Sequence, residues 1–228
     1  TSTGIGLTTS LHLARNGYQV FAGMRNLAKA DALQTAAAAE NLPVTVVQLD
    51  VCDTDSVKQA FAEIEKTGPV DVLINNAGIG GAAPLELVPE AEHKQMFETN
   101  YFGVVRCIQA VLPSMRERQT GSIVNITSAV GLQATPNQIA YSASKWALEC
   151  LGEALAHEVY RFGVRVVNVE PGVPEATLSA LADMGNPIYR SAGLAQVLYG
   201  RGQVIRREPD GVLWGGTDPR ADGCVMTL

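Results

Sequence analysis

The sequence predicts an α/β fold built on a doubly wound parallel sheet flanked by helices, in one domain over residues 1–228. Three observations predict it. Strand-like apolar runs alternate with helical runs at crossover length, the pattern of repeated parallel βαβ units. The strand runs are short and nearly continuously apolar, as in Val70-Asp71-Val72-Leu73-Ile74, which suits strands buried on both faces. Polar, ligand-competent residues follow the strand ends, where open α/β sheets bind their ligands. No interdomain linker, low-complexity tract or internal repeat interrupts the alternation.

The chain begins Thr1-Ser2-Thr3-Gly4-Ile5-Gly6 and runs into a helix with Leu7, Leu11, Leu13 and Ala14 near helical spacing, stopped by Gly17. A Gly-rich turn that opens a helix is a phosphate cradle, because Gly admits a close backbone approach and the first amides attract an anion. A strand is expected before this turn, so the expectation is that residues precede Thr1. Tyr18 to Arg25 reads as a strand and Leu27 to Glu40 as an Ala-rich helix. Val44 to Val51 reads as a strand with Asp50 at its end. Thr54 to Lys66 reads as an amphipathic helix with Val57, Phe61 and Ile64 on one face. Gly68-Pro69 breaks it, and the strand from Val70 runs into Asn75-Asn76-Ala77-Gly78, which is either a ligand-binding turn or an ordinary Asn-rich one. Ala91 to Met115 reads as one long helix. Asn100 inside it is a poor helix former that either kinks the helix or holds a water. Gly121 to Ser128 is a strand, Tyr141 to about Phe162 a helix, and Val164 to Gly172 a strand and turn. Beyond Ala182 periodicity is poor, and Gly211 to Asp218 reads as a last strand and its turn.

Composition narrows the function classes. The net charge is −6, which disfavours nucleic acid and anionic membranes as partners. No apolar run approaches the roughly 20 residues of a membrane span. Cys52, Cys107, Cys150 and Cys224 are scattered without ligand spacing, so reduced thiols in a cytoplasm are the default reading. His12, His93 and His157 have no partners nearby in sequence, and no metal site is expected.

The chemistry concentrates in Tyr141-Ser142-Ala143-Ser144-Lys145. Tyr141 and Lys145, four residues apart, share one helix face. An ammonium one turn from a phenol favours the phenolate and so helps proton exchange near neutrality. Ser128, at the end of the preceding strand, is placed to aim a hydroxyl at the same point. Such a set suits proton exchange with an alcohol or carbonyl oxygen. Taken alone, the Tyr/Lys pair is explained equally well as a surface Tyr beside a solvated Lys.

The assembled motifs resemble the short-chain dehydrogenase/reductase family in its single-domain, Rossmann-type form, over roughly residues 1–173. The opening hexapeptide is similar to the later part of that family's TGxxxGxG turn. Asn75 to Gly78 is similar to its NNAG motif, Asn100 with Gly103 to NxxG, and Pro171-Gly172 to its PG turn. Ser128 lies thirteen residues before Tyr141, as in the family.

The resemblance implies roles. Tyr141 is the acid in reduction and the base in oxidation, Lys145 assists it and binds the nicotinamide ribose, Ser128 holds the substrate oxygen, and Asn100 anchors a water. Gly4, Ile5 and Gly6 line the pyrophosphate, and Ser2 and Thr3 also bind the cofactor. Asp50 and Val51 flank the adenine, while Asn76, Ala77 and Gly78 border the adenosine ribose. Pro171, Gly172 and Val173 meet the nicotinamide. The end of the second strand carries Met24 and Arg25 in place of a carboxylate. Arg25 suits a ribose 2′-phosphate, so NADP(H) is favoured over NAD(H).

The implied activity is hydride exchange between NADP(H) and a secondary alcohol or ketone. The resemblance extends to hydroxysteroid- and retinol-type members and equally to bacterial carbonyl reductases. Thr177 is too far from Pro171-Gly172 to match the family's next Thr, and about 174–210 defines the substrate loop poorly. Leu178, Leu181, Met184, Ile188 and Leu194 read first as helix packing and second as an apolar lining. The alternatives are a non-catalytic NADP(H)-sensing module and a nucleotide-sugar epimerase. The family's helix pairing implies a homodimer or homotetramer.

Overall fold

The computed structural model describes residues 1–171 together with the backbone of 204–207 and 213–216. The expectations placed on Gly172, Val173, Thr177, Leu178, Leu181, Met184, Ile188 and Leu194 lie outside the described residues. In chain order the elements are α1 (Gly4–Arg15), β1 (Val20–Met24), α2 (Asp31–Ala39), β2 (Val44–Gln48), α3 (Thr54–Glu65) and β3 (Val72–Asn75). There follow α4 (Glu90–Phe97), α5 (Gly103–Arg118), β4 (Gly121–Ile126), α6 (Ile139–Val159), β5 (Val164–Val169), β6 (Val204–Arg207) and β7 (Leu213–Gly216).

The parallel strands form two hydrogen-bonded groups, β1–β2 and β3–β4–β5, while β6 and β7 make an antiparallel pair. The N-terminal turn lies between the two parallel groups. The Thr1 hydroxyl donates to the Gly23 carbonyl of β1. On the other side, a Cβ on Gly6 would stand 2.8 Å from the Asn76 amide nitrogen. Only glycine lets α1 sit this close to the end of β3.

Helices cover both faces. α3, α5 and α6 bury Val57, Phe61, Val111, Met115, Leu148 and Leu155 in one cluster with Leu73, Ile123 and Val164 of the strands. α1 and α2 bury Leu11, Leu33 and Ala37 in a second cluster with Ala22 and Met24 of β1. Full burial of a side chain such as Val57 or Phe61 stabilises by about 1.5–3 kcal/mol. Among the described residues no helix is long and apolar enough to cross a membrane.

Several element boundaries differ from the sequence reading, and four of the differences have a polar reason. The Asn26 side chain accepts from the Ala28 amide at 3.0 Å, so Leu27–Lys29 is a 3₁₀ turn and α2 begins only at Asp31. β2 stops at Gln48. Asp50 accepts from the Cys52 amide at 3.0 Å and its own amide donates to Ser56 Oγ at 2.9 Å, which draws the backbone out of the ladder. β3 starts at Val72 because Arg118 claims the Val70 carbonyl at 2.7 Å and pairs with Asp71. The single helix expected over Ala91–Met115 is corrected to α4, a π-helical turn at Glu98–Phe102, and α5. Asn100 sits in that turn. β6 was not foreseen; β7 falls inside the expected last strand.

Candidate active site

Arg25, Asp50, Val51, Asn76, Ala77, Gly78, Ser128 and Pro171 fall past the carboxyl ends of parallel strands, Ser2 to Gly6 at the start of α1, Tyr141 and Lys145 on α6, and Asn100 in the π-helical turn. That placement follows from the topology: parallel strands end on one side, and the loops leaving them meet there. A cavity of about 280 Å³ opens at this edge. Ile5, Asn76 and Gly78 form one side, and Ser128, Tyr141 and Lys145 another, with Pro171 at the rim. The structure therefore brings the expected proton-exchange residues into the same cavity as the Gly-rich turn.

α6 begins two residues before Tyr141, so Tyr141 and Lys145 occupy its first two turns. Lys145 is only 5% exposed, and its Nζ donates to the Ile126 carbonyl of β4 at 2.8 Å. It stands 5.9 Å from the centre of the Tyr141 ring. Burial pushes its ammonium down from 10.5 to about 8, and the Glu149 carboxylate opposes that shift. Ser128 Oγ accepts from the Val130 amide at 3.4 Å. A hydroxyl that accepts from a backbone amide keeps its own proton to donate, which is the role expected of it.

Asn100 is fully buried and its side chain is engaged by protein groups. Its Oδ1 accepts from the Ile79 amide at 2.8 Å, and its Nδ2 donates to the Ile79 carbonyl at 2.8 Å and to Ser144 Oγ at 2.9 Å. Ser144 in turn donates to the Tyr141 carbonyl at 2.8 Å. The π-helical turn thus fastens the loop after β3 to the start of α6. The helix irregularity expected at Asn100 is present as this π-helical turn. Ser144 and Ile79 were not singled out from sequence. The signal for Ser144 was its position three residues after Tyr141, on the same helix face.

The N-terminus of α1 fits an anionic group. Thr3 caps the helix without a side-chain hydrogen bond, the first turn carries no acidic residue, and Thr3, Gly4 and Ile5 are exposed. The amides of that turn are left to meet a phosphate. Arg25, Asp50 and Val51 stand outside the 280 Å³ cavity, beyond β1 and β2. Arg25 is exposed, and Gln48 holds its carbonyl at 2.8 Å. Val51 is held by Arg106, whose Nη1 donates to its carbonyl at 3.1 Å. No group of three or more His, Cys, Asp or Glu able to hold a metal occurs among the described residues.

This is a parallel α/β arrangement with a Ser, a Tyr and a Lys in one cavity beside a Gly-rich turn. Residues 1–183 match the short chain dehydrogenase family, and the chain belongs to that family. It is 46% identical over 175 residues to retinol dehydrogenase 8 of Bos taurus, covering 75% of this chain and 56% of that protein. It is 41% identical over 173 residues to a 3-ketodihydrosphingosine reductase of Bacteroides thetaiotaomicron, covering 75% and 60%. The chain thus spans little more than half the length of these relatives. Among solved structures it resembles a short-chain dehydrogenase from Streptomyces avermitilis, with 39% identity, a TM-score of 0.71, and 75% of this chain against 62% of that one. It also resembles a gluconate 5-dehydrogenase from Burkholderia cenocepacia in complex with NADP and tartrate, with 32% identity, a TM-score of 0.71, and 80% against 72%.

Proposed function

We propose that this protein is an NADP(H)-dependent oxidoreductase that interconverts a secondary alcohol and a ketone, with Tyr141 as the acid and base. The observation that carries this reading is the single cavity shared by Ile5, Asn76, Ser128, Tyr141 and Lys145. The nicotinamide group supplies the hydride, and the chain's own residues supply orientation and proton management. In reduction, Tyr141 gives its phenolic proton to the substrate oxygen as negative charge develops there. Ser128 donates a hydrogen bond to the same oxygen and fixes the carbonyl's position. Lys145 places a cation behind the phenol and is within the cavity to bind ribose hydroxyls. The first-turn amides of α1 with Ser2, Thr3, Gly4, Ile5 and Gly6 hold the pyrophosphate. Asp50 and Val51 flank the adenine, Asn76 to Gly78 the adenosine ribose, and Pro171, Gly172 and Val173 the nicotinamide. Asn100 secures the loop after β3. Its side chain is occupied, so any water linking Lys145 to solvent rests on its backbone.

In this reading Arg25 holds the ribose 2′-phosphate. Its guanidinium is exposed and, among the described residues, pairs with no carboxylate, and two structural relatives are in complex with NADP. Charge-assisted hydrogen bonds are worth about 1.5–3 kcal/mol. Arg25→Ala is therefore expected to weaken NADPH binding roughly 10- to 150-fold, by that range, and to leave NADH binding unchanged. Fluorescence titration with both nucleotides checks this. Equal losses for the two would remove Arg25 from the phosphate site.

In this reading the substrate is an apolar carbonyl or alcohol. Retinol dehydrogenase 8 among the relatives supports this. A second cavity of about 60 Å³ lies beside the first, lined by apolar Leu85, Val88, Met96 and Ile139 and by polar Glu92, His93, Asn137 and Gln138, so it selects for neither character. Gly80, whose Cβ position lies 3.6 Å from the Tyr141 ring, and Gly81 connect the two. A panel of apolar and polar ketones and alcohols with NADPH and NADH, followed at the reduced-nicotinamide absorbance band, tests activity, cofactor and substrate class. Turnover of apolar ketones with NADPH is expected; no turnover of any member would overturn the reading.

The reading includes a cytoplasmic homodimer or homotetramer. Phe102, Ile139, Trp146 and Tyr160 on the α5 and α6 side are 46–82% exposed, and a second copy would cover them. Size-exclusion with light scattering is expected to return a multiple of the 24.2 kDa chain mass. A monomer would contradict it.

A further inference from the structure

Three asparagines stand in register across the sheet: Asn75 of β3 beside Asn125 of β4, and Asn125 beside Asn168 of β5. Their side chains form a directional chain. Asn75 Nδ2 donates to Asn125 Oδ1 at 2.9 Å, and Asn125 Nδ2 donates to Asn168 Oδ1 at 3.1 Å. Asn168 Nδ2 then donates to Glu149 Oε2 at 2.7 Å and to the Glu149 carbonyl at 3.1 Å. Asn125 is fully buried, Asn75 is 7% exposed and Glu149 4% exposed. α6 is brought against this ladder by Gly152, where a Cβ would fall 2.0 Å from Asn168 Oδ1. An apolar set would serve packing alone, because an ionisable side chain buried this deeply costs several kcal/mol unless a partner offsets it.

Glu149 lies four residues after Lys145, on the same buried face of α6. The charged residue acting on Lys145 is Glu149. The other titratable neighbour on the helix is Tyr141. β4 offers Lys145 the Ile126 carbonyl, and Gly78 and Asn100 approach from the loop after β3 and the π-helical turn. On β5, Arg165 is three residues from Asn168 and so faces the opposite side of the sheet.

We propose that Glu149 is a positioning residue for Lys145: its carboxylate, held by the Asn75–Asn125–Asn168 ladder one turn along the same buried face of α6, is the buried charge that favours the Lys145 cation behind Tyr141. This deepens the oxidoreductase reading and rests on it. The ladder fixes the carboxylate, while the Ile126 carbonyl fixes the ammonium, so the charge acts on Lys145 from a set place. The parallel sheet is thereby wired to the proton-exchange pair through side chains that touch no substrate.

Glu149→Gln tests it, because the amide oxygen still accepts from Asn168 while the charge is gone. The direct readout is a pH titration of protein labelled with ¹³C at lysine Cε, with the Lys145 signal assigned by its loss in Lys145→Met. The expected result is a Lys145 midpoint lower by about one pH unit or more in Glu149→Gln, with the alkaline limb of kcat/KM moving down alongside it. A midpoint that does not move, or a loss of kcat with the limb in place, would overturn the proposal and reduce Glu149 to a packing residue. If Glu149→Gln does not fold, Glu149→Asp keeps the charge at greater reach and is expected to give a smaller downward shift; no shift there overturns the proposal equally. The titration does not depend on turnover. A parent protein that reduces no carbonyl would sink the oxidoreductase reading while leaving the Lys145 midpoint to decide this one.

Discussion

Replacing Tyr141 by Phe is expected to lower kcat by roughly 10²- to 10⁴-fold, the usual contribution of a positioned acid or base, while NADPH affinity stays at the parent value. The substitution deletes one oxygen and leaves the ring beside Gly80 in place. The start of α6 keeps its fastenings, since Ser144 binds the backbone carbonyl of residue 141 and not its side chain. Binding and chemistry therefore separate. The same variant decides against a non-catalytic sensor, whose nucleotide-dependent output needs no phenolic proton. Steady-state rates with the best ketone from the panel and a parallel NADPH titration are the measurements. Turnover that survives the change would move the proton source elsewhere, with Ser128 the next residue in the cavity.

Lys145→Met is expected to abolish most turnover and yet cost little stability near neutral pH. Burial holds the Lys145 ammonium at about 8, against 10.5 for an exposed lysine. The unfolded chain thus keeps this proton between pH 8 and 10.5 when the folded chain has released it. With more protons bound in the unfolded state, stability rises with pH across that window. Below pH 8 the folded protein carries the full cost of the buried cation, on the order of 3 kcal/mol. Methionine removes that cost and forfeits one hydrogen bond to the Ile126 carbonyl, worth about 1–3 kcal/mol if that carbonyl is left unpaired. The variant should melt at or above the parent at pH 7, and its margin should shrink as pH rises from 8 to 10.5. Thermal denaturation across that range checks the sign. A margin that is constant or grows would mean that burial does not strain the lysine. A residue retained at a cost to stability is the mark of a functional site.

The sequence made the sheet legible because its strands are apolar runs separated by helices of crossover length, and the helix face of Val57, Phe61 and Ile64 is buried as the spacing implied. Tyr141, Lys145 and Ser128 were legible because two of them share a helix face and the third ends a strand. What the sequence hid was set by side-chain hydrogen bonds to backbone, which leave no periodic trace. The Asp50 turn that ends β2 and the Asn26 cap that delays α2 are of this kind. The π-helical turn was visible only as an Asn in poor company; its geometry depends on Ile79 and Ser144, which lie far off in the chain. The asparagine ladder required strand register, which periodicity alone cannot supply.

The central claim is that the Tyr141 oxygen and the nicotinamide face one point. A crystal structure with NADP⁺ and an alcohol bound measures this directly. The account predicts the nicotinamide in the 280 Å³ cavity, Lys145 at its ribose, and the alcohol oxygen within about 3 Å of both Tyr141 and Ser128. A nicotinamide seated away from α6, with the Tyr141 oxygen out of reach of the alcohol, would contradict it.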